Sequence, residues 1–377
     1  MTNREQAVLA LIRQNPQICQ KDLAKRLGIE RSSVAVHIAN LTRKGFIRGK
    51  GYILDSVPYV AVVGAANMDI SGRSGGLVDR ESNIGRIRLS AGGVARNIAE
   101  VIARLDIPVS LLSAVGDDAH GQSILEECRR QAIDISRVHQ DSSLPTSIYM
   151  AFLAADGDMQ VAVNDMAVAG RIDAHYIRQH RNFIKNAAVV VVDANLSEAA
   201  LEAVMETGQP RILADPVSAI KAARLKPWLS ALYAVKPNRA EAEVLTGIKV
   251  DSRAAAVAVI RDLHQQGLQQ VYLSLGADGV LASDGQKIWL AHIKRPASAG
   301  LLGGVEPVMA NTTGCGDVFL AVIATGLYRA LPLAEALELA VAAADLNTRS
   351  EATIHEQLGL DLILAGRKDV QIEELMD

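Results

Sequence analysis

The stretch Asn311-Thr312-Thr313-Gly314-Cys315-Gly316-Asp317, followed by the apolar run Val318 to Ile323, holds the residues best placed to do chemistry. Gly314 and Gly316 flank one small residue and let backbone N–H groups turn toward a common point, where the start of a helix adds the positive end of its dipole. The product is an anion cradle. Asp317 falls in the first turn of that helix, so a carboxylate is held beside a site suited to phosphate. Repulsion makes this poor for binding alone, but it suits a base that takes a proton from an attacking hydroxyl. Taken by themselves, the same residues also read as a plain N-cap on a glycine turn. The rest of the chain decides between the two.

Other polar residues fall at the ends of apolar runs. Asn67 and Asp69 deliver an amide and a carboxylate into a turn, where they either hold vicinal hydroxyls by donating and accepting together or form an Asx turn. Gly92 and Gly93 open a helix running to Leu105, with Asn97 one turn in; the glycines either admit a ligand to the backbone or simply make a tight turn. Asn164 and Asp165 follow a hairpin at its return point. Asp193-Ala194-Asn195 and Asp215-Pro216 end two further runs. Asn238 and Glu241 share a helix face and either hold waters around Mg2+ and nucleotide phosphates or form a capping box. Gly276 and Gly279, after Val271 to Leu275, are placed to line a nucleotide phosphate or ribose. In open parallel sheets ligands bind at the carboxyl ends of strands, which is where these residues lie.

The elements that position them alternate. Apolar strands at Tyr59 to Val63, Val109 to Val115, Val189 to Val192, Ile212 to Ala214 and Ala234 to Val235 are interleaved with helical patterns such as Gly121 to Gln131, the cadence of a parallel sheet with crossover helices. Residues 70–90 are polar and glycine-rich. With the hairpin of Pro145 to Leu153 and Met159 to Val163, turning at Asp156-Gly157, they predict a small sheet outside the main body that serves as a lid (about 70–90 and 145–165). Residues 296–304 read as a loop, and two amphipathic helices are expected near 334–347 and 354–365.

A chain of 377 residues with 49% hydrophobic and 21% charged content folds as two or more domains with ample core. No apolar stretch approaches the roughly 18 residues of a membrane span, and no signal peptide is seen. Three scattered cysteines, Cys19, Cys128 and Cys315, without ligand spacing predict a reducing cytoplasm and no structural zinc. Aromatics at 3% disfavour a base-stacking platform.

Charge is unevenly distributed. Residues 1–55 carry ten Lys/Arg against four Asp/Glu, and the remainder 29 against 38. The two parts have different partners. In the basic part, helical spacing over residues 3–14, a short helix Gln20 to Leu27, a turn at Gly28, a helix Arg31 to Lys44 and a hairpin Gly45 to Leu54 resemble a winged helix-turn-helix domain. Arg31, Ser32, Ser33, Val36 and His37 would start the recognition helix, with Arg43, Lys44, Arg48 and Lys50 flanking the phosphates of double-stranded DNA. A solvated helical cap or dimerisation module is the alternative.

From Tyr59 onward the chain resembles the ribokinase-like (PfkB) sugar kinases, through the ordered series GxxNxD, GGxxxN, NxxE, SLGxxG and TGxGD between Gly64 and Asp317. Within the family it is most similar to the pseudouridine kinases, at Asn67 to Gly72 (NMDISG), Val163 to Met166 (VNDM), Asp193 to Ser197 (DANLS), Asp215 to Ala219 (DPVSA) and Lys236 to Glu243 (KPNRAEAE). Asn311, where many members have aspartate, and the winged-helix domain are departures from the wider family; the first is shared with that subfamily. The resemblance implies a three-layer α/β sandwich with a mostly parallel sheet and a β lid over 59–377, preceded by the small domain at 1–55.

It also implies ATP-dependent phosphorylation of the 5′-hydroxyl of pseudouridine, with Asp317 as base and Gly314, Cys315 and Gly316 as anion hole. Asn67, Asp69, Gly93 and Asn97 would hold the ribosyl group, and Asn164, Asp165 and Asp193 would border the nucleoside. Asn238 and Glu241 would organise Mg–ATP through water, Ser274, Gly276 and Gly279 would approach the nucleotide, and a monovalent cation such as K+ would assist. Cys315 stands where the family usually has alanine, a packing-compatible substitute. Kinase action on another nucleoside or a free sugar, or a ligand-sensing transcription regulator, are the rival readings. A homodimer is expected from the helix-turn-helix.

Overall fold

The computed structural model describes residues 1–16, 18–47, 57–76, 81–154, 159–294, 312–350 and 352–375. Most of the expected wing, with Arg48 and Lys50, and also Asp156-Gly157, the loop 296–304 and Asn311, lie outside the described residues. The chain divides into two compact units, Met1–Pro58 and Tyr59–Asp377.

In the first unit, helices Asn3–Gln14, Gln20–Leu27 and Arg31–Arg43 close over Val8, Leu9, Ile12, Leu23, Val34 and Leu41. Thr2 and Glu5 form a reciprocal capping box at the start, and Gly28 ends the second helix with a left-handed φ of 62°. Glu5 is buried and its two oxygens accept from the Lys44 ammonium at 2.7 and 2.9 Å.

Among the described residues, the second unit is built on a sheet of nine strands. The strands in chain order are β1 (Val60–Val63), β2 (Asn67–Ser74), β3 (Gly85–Gly92), β4 (Val109–Leu112), β5 (Ala114–Gly116), β6 (His139–Asp141), β7 (Ile148–Leu153) and β8 (Met159–Asp165). They continue with β9 (Val189–Asp193), β10 (Ile212–Asp215), β11 (Ala234–Val235), β12 (Gln270–Ser274), β13 (Val280–Ser283), β14 (Ile288–Ile293) and β15 (Val370–Leu375). The main sheet runs β15-β14-β13-β12-β11-β10-β9-β1-β4, parallel from β4 to β12 and antiparallel beyond. Its central strands are buried on both faces, which is why they read as continuous Val/Ala runs without alternation. One apolar cluster contains the helices Val94–Arg104, Cys315–Tyr328 and Leu333–Asn347, and a second covers the other face.

The lid is a separate sheet, β3-β2-β7-β8. Ser90, Asp69, Tyr149 and Asn164 are register partners across it, so they share one face. The neighbouring register positions carry Leu89, Ile87, Met150, Phe152, Val163 and Val161, all exposed.

Three expectations change. Asn67 and Asp69 do not sit in a turn but begin β2, because the chain crosses straight from the main sheet into the lid. The single run Val109 to Val115 is two strands in different sheets, broken at buried Ser113, whose hydroxyl donates to the Gly64 carbonyl. The last helix is shorter than 354–365, spanning Leu360–Gly366, and β15 follows it as an unanticipated edge strand. The carboxyl ends of β1, β9, β10, β11 and β12 share one edge of the sheet and carry the polar residues considered next.

Candidate active site

At the exit of β1 the glycine pair is required by contact. A Cβ on Gly92 would lie 2.1 Å from Asp69 Oδ2, and one on Gly93, which has φ of 98°, would lie 2.5 Å from the Ala65 carbonyl oxygen. Gly93 is also the N-cap of the helix carrying Asn97. Asn67 donates its amide to Asp69 Oδ1, and burial pushes the Asp69 carboxyl up to about 6 despite that bond.

Asp317 sits in the first turn of Cys315–Tyr328, 9% exposed. The Asn97 amide donates to its Oδ2 at 2.8 Å. Burial and then the nearby Asp215 carboxylate hold the Asp317 carboxyl well above the usual range, opposed by the Asn97 bond and the Lys236 charge. A carboxylate so placed is a strong proton acceptor once ionised.

Gly314 caps this helix with φ of 79°, and a Cβ there would meet the Thr353 carbonyl oxygen at 2.1 Å. Asn347, fully buried, donates to the Thr313 and Thr353 carbonyls at 3.3 and 3.0 Å and accepts from the His355 amide at 2.8 Å. In a trans peptide the C=O and N–H point opposite ways. Holding the Thr313 carbonyl toward Asn347 therefore turns the Gly314 N–H away from Asn347. Asn347 also reaches Cys315 Sγ at 3.7 Å, and burial raises that thiol's pKa.

Lys236, 7% exposed, follows β11 and brings its ammonium 3.4 Å from Asp215 Oδ2. A Cβ on Gly316 would be only 3.1 Å from Lys236 Nζ, so the charge lies directly against the cradle. Burial works against that charge, but Asp215, Glu241 and Asp317 outweigh it and keep the lysine protonated. Asp193 is buried beside this group; its oxygens accept from the Ala65 and Asn195 amides, both at 2.9 Å, and burial pushes it up to about 6.

Asn238 and Glu241 form the capping box: Asn238 Oδ1 accepts from the Glu241 amide and Glu241 Oε2 from the Asn238 amide, both at 2.9 Å. Ser274 bridges to Asn238 at the end of β12 and donates its amide to the Pro237 carbonyl, while Gly276 and Gly279 take φ of 67° and 94° in the link to β13. Asn164 and Asp165 lie apart from Asp317's immediate partners, exposed at the end of β8, with Asp165 accepting from the Ala167 amide at 3.1 Å. Among the described residues no group of three His, Cys, Asp or Glu is disposed to hold a metal.

Sequence reasoning missed Lys236 and Asn347, and placed Asp215 only on the functional edge. Lys236 had a signal, a cation directly before the Pro237-Asn238 strand end; Asn347, deep in an apolar helix, had only its polarity.

In the first unit Arg31, Ser32, Ser33 and Val36 are exposed at the start of Arg31–Arg43, and His37 is half-buried. Arg43 donates to Asn40 at 2.9 Å, and the Lys44 charge is already paired with Glu5.

Residues 57–358 match the pfkB family of carbohydrate kinases, and residues 1–48 match a winged helix-turn-helix DNA-binding family. The chain belongs to the pfkB carbohydrate kinase family. It is 36% identical over 372 residues to an uncharacterized sugar kinase, YeiI, of Escherichia coli K12, covering 97% of this chain and 99% of that protein. It is 35% identical over 311 residues to the pseudouridine kinase of the same strain, covering 81% and 96%. Among solved structures, a carbohydrate kinase from Agrobacterium tumefaciens superimposes with a TM-score of 0.72 at 25% identity, over 85% of this chain and all of that one (100%). An Arabidopsis thaliana ribokinase solved with ribose and ATP gives 0.68 at 24% identity, over 83% and 99%, and shares the fold.

Proposed function

We propose that the second unit transfers the γ-phosphoryl group of ATP to the 5′-hydroxyl of pseudouridine, giving pseudouridine 5′-phosphate and ADP in the cytoplasm. The observation that carries this reading is the Asn97–Asp317 hydrogen bond of 2.8 Å, which ties a buried carboxylate in the first turn of Cys315–Tyr328 to the helix that opens at the glycine pair. Asn67 and Asp69 grip the ribose hydroxyls, and Gly93 lets the sugar approach the backbone. Asp317 takes the hydroxyl proton as the oxygen attacks. The amides of Gly314, Cys315 and Gly316 receive the charge on the transferring group, and the Lys236 ammonium beside Gly316 adds a fixed cation. The β lid excludes water.

The donor set fits magnesium. Glu241 and Asp215 are buried oxygen donors, and Asn238 adds an amide oxygen, the hard ligands that Mg2+ accepts directly or through its waters. When bound, Mg2+ neutralises charge on the nucleotide phosphates. Ser274, Gly276 and Gly279 would flank the nucleotide, and a monovalent cation such as K+ belongs to the same proposal. Asn164, Asp165 and Asp193 border the nucleoside.

The first unit, in this reading, binds double-stranded DNA through Arg31, Ser32, Ser33 and His37, with Arg43 on a phosphate, and the protein acts as a homodimer on paired half-sites. A regulator that only senses the nucleoside is the second reading, favoured by the exposed polar start of Arg31–Arg43. ADP release across a panel of nucleosides and free sugars tests the first. Release with ribose alone would displace pseudouridine, and release with none would leave the regulator. A mobility shift against competitor DNA, with sedimentation for the dimer, tests the second.

A further inference from the structure

Arg96 is 2% exposed and takes no part in the steps above. It lies one residue before Asn97 in the helix that opens at the glycine pair, and its Nη2 meets Glu100 Oε2 at 2.5 Å and Glu127 Oε1 at 3.1 Å. Arg104 pairs with the other Glu100 oxygen, so two cations stand against two carboxylates. A buried guanidinium is tolerated where it is paired in this way. At the far end of the helix Arg104 also donates to the His355 and Glu356 carbonyls, both at 2.8 Å, so the charged cluster reaches the segment behind Gly314.

The Nη1 of Arg96 faces the site. It donates to the Ala91 carbonyl, just before the glycine pair, and to Asn97 Oδ1, each at 3.1 Å. An NH2 group has two hydrogens, and both are engaged. With Nη2 given to the two glutamates, no Nη hydrogen is left for a ligand.

The direction of these bonds decides which way round the Asn97 amide sits. A guanidinium donates and never accepts, so Asn97 Oδ1 must face Arg96 and Nδ2 must face Asp317, where it donates to Oδ2 at 2.8 Å. Turned over, the amide would set its NH2 against the guanidinium and its oxygen against a carboxylate. Without Arg96 the amide is free to turn, and its oxygen would then accept from a protonated Asp317 and keep the proton on the proposed base. Asp215, Asp193 and Lys236 act on Asp317 from the sheet through their charge; the Asn97 amide acts through its direction.

We propose that Arg96 is a positioning residue: it locks the Asn97 amide in the orientation that donates to Asp317, and with the same nitrogen it holds the turn at the glycine pair. It acts through Asn97 and not on substrate. The role of Asp317 as base rests on the kinase reading; the amide lock rests on the hydrogen bonds alone.

The test has two readouts on the full chain. Nitrogen-15 NMR follows the Asn97 side-chain amide, identified as the NH2 signal that Asn97→Leu removes, and ADP release over the panel of nucleosides and sugars gives kcat and KM for the acceptor used. Arg96→Met should change the Asn97 amide signal and lower kcat by about tenfold or more, the scale of one hydrogen bond to a charged group, with KM within about twofold. Arg96→Lys, still a donor only, should recover part of both. In an Asn97→Leu background Arg96→Met should cost little more in kcat, since residues that act through one contact are not additive. An equal loss of kcat with and without the Asn97 side chain, an unaltered amide signal in Arg96→Met, or a loss in KM alone would overturn the lock. If Arg96→Met does not fold, Arg96→Lys carries the same cycle with the same outcomes. An amide signal that depends on Arg96, with no ADP release from any acceptor, would uphold the lock and remove the kinase reading; ADP release with an amide signal and kcat indifferent to Arg96 would do the reverse.

Discussion

The amide of Asn97 donates to Oδ2 of Asp317 across 2.8 Å, joining the helix that opens at the glycine pair to the helix that opens at the anion cradle. That bond adds a polar tie between two helices already packed in one apolar cluster, and it falls on the atom proposed to take the proton.

Replacing Asp317 by Asn keeps the shape and removes the base. Turnover should fall by about 10²- to 10⁴-fold while ATP binding persists. Because a buried carboxylate repelled by Asp215 is also lost, the variant should melt higher than the parent. Steady-state kinetics and a thermal melt check both; near-parental turnover would remove Asp317 from the base role.

Asp317 must be ionised to accept a proton, so activity should be lost as pH falls through its raised pKa, with an acidic limb well above the ordinary carboxylate range. The Asn97 bond favours the ionised form; Asn97→Leu should move that limb to higher pH. Stability should run the other way. Asp69 and Asp193 rise from 3.8 to about 6 on folding, so their contribution is complete below the unfolded value and is lost as pH rises through the folded one. Melting temperatures of the ligand-free protein across this window measure the sign, and a rise with pH there would contradict it.

Lys236→Met leaves Asp215 without its cation and the cradle without a fixed charge. The expected result is a kcat lower by about 10²- to 10³-fold, the scale of losing one preorganised donor, with Lys236→Arg recovering part. A change confined to KM would place Lys236 in binding alone.

Asn347→Leu is close in size and removes four polar contacts with Thr313, Thr353, Cys315 and His355. Stability should drop by about 1–3 kcal/mol, as expected when buried groups lose partners. kcat should suffer more than KM, because the Gly314 N–H loses its fixed direction. Equal effects on both would make Asn347 a packing residue only.

Arg31→Ala should weaken DNA binding and reduce the salt slope by about 1 if the side chain meets a phosphate. Lys44→Ala should instead lower the melting point of the first unit through Glu5. A salt slope that moves with Lys44 and not Arg31 would reverse these assignments.

The sheet was legible because its central strands are apolar without interruption, and the helices because caps such as Asn238 and Gly28 mark their ends. The site was legible where glycine is forced, at Gly92, Gly93 and Gly314, since only close approach or positive φ demands it. The sequence hid what depends on distant pairing. Nothing local tells that Val109 to Val115 breaks between two sheets, that 370–375 returns to pair with β14, or that a lysine after β11 ends against Gly316. Asn238 and Glu241 show the opposite case: both readings used the same spacing, and the cap geometry is compatible with either.

The Thr353 carbonyl and the His355 amide, held by Asn347, back the glycine turn at Gly314 that opens the proposed phosphate cradle. A nascent chain still lacking that segment would possess every proposed reacting group and no working site. During synthesis the helical first unit can fold early, so the unit proposed to bind DNA would be complete before the proposed kinase site.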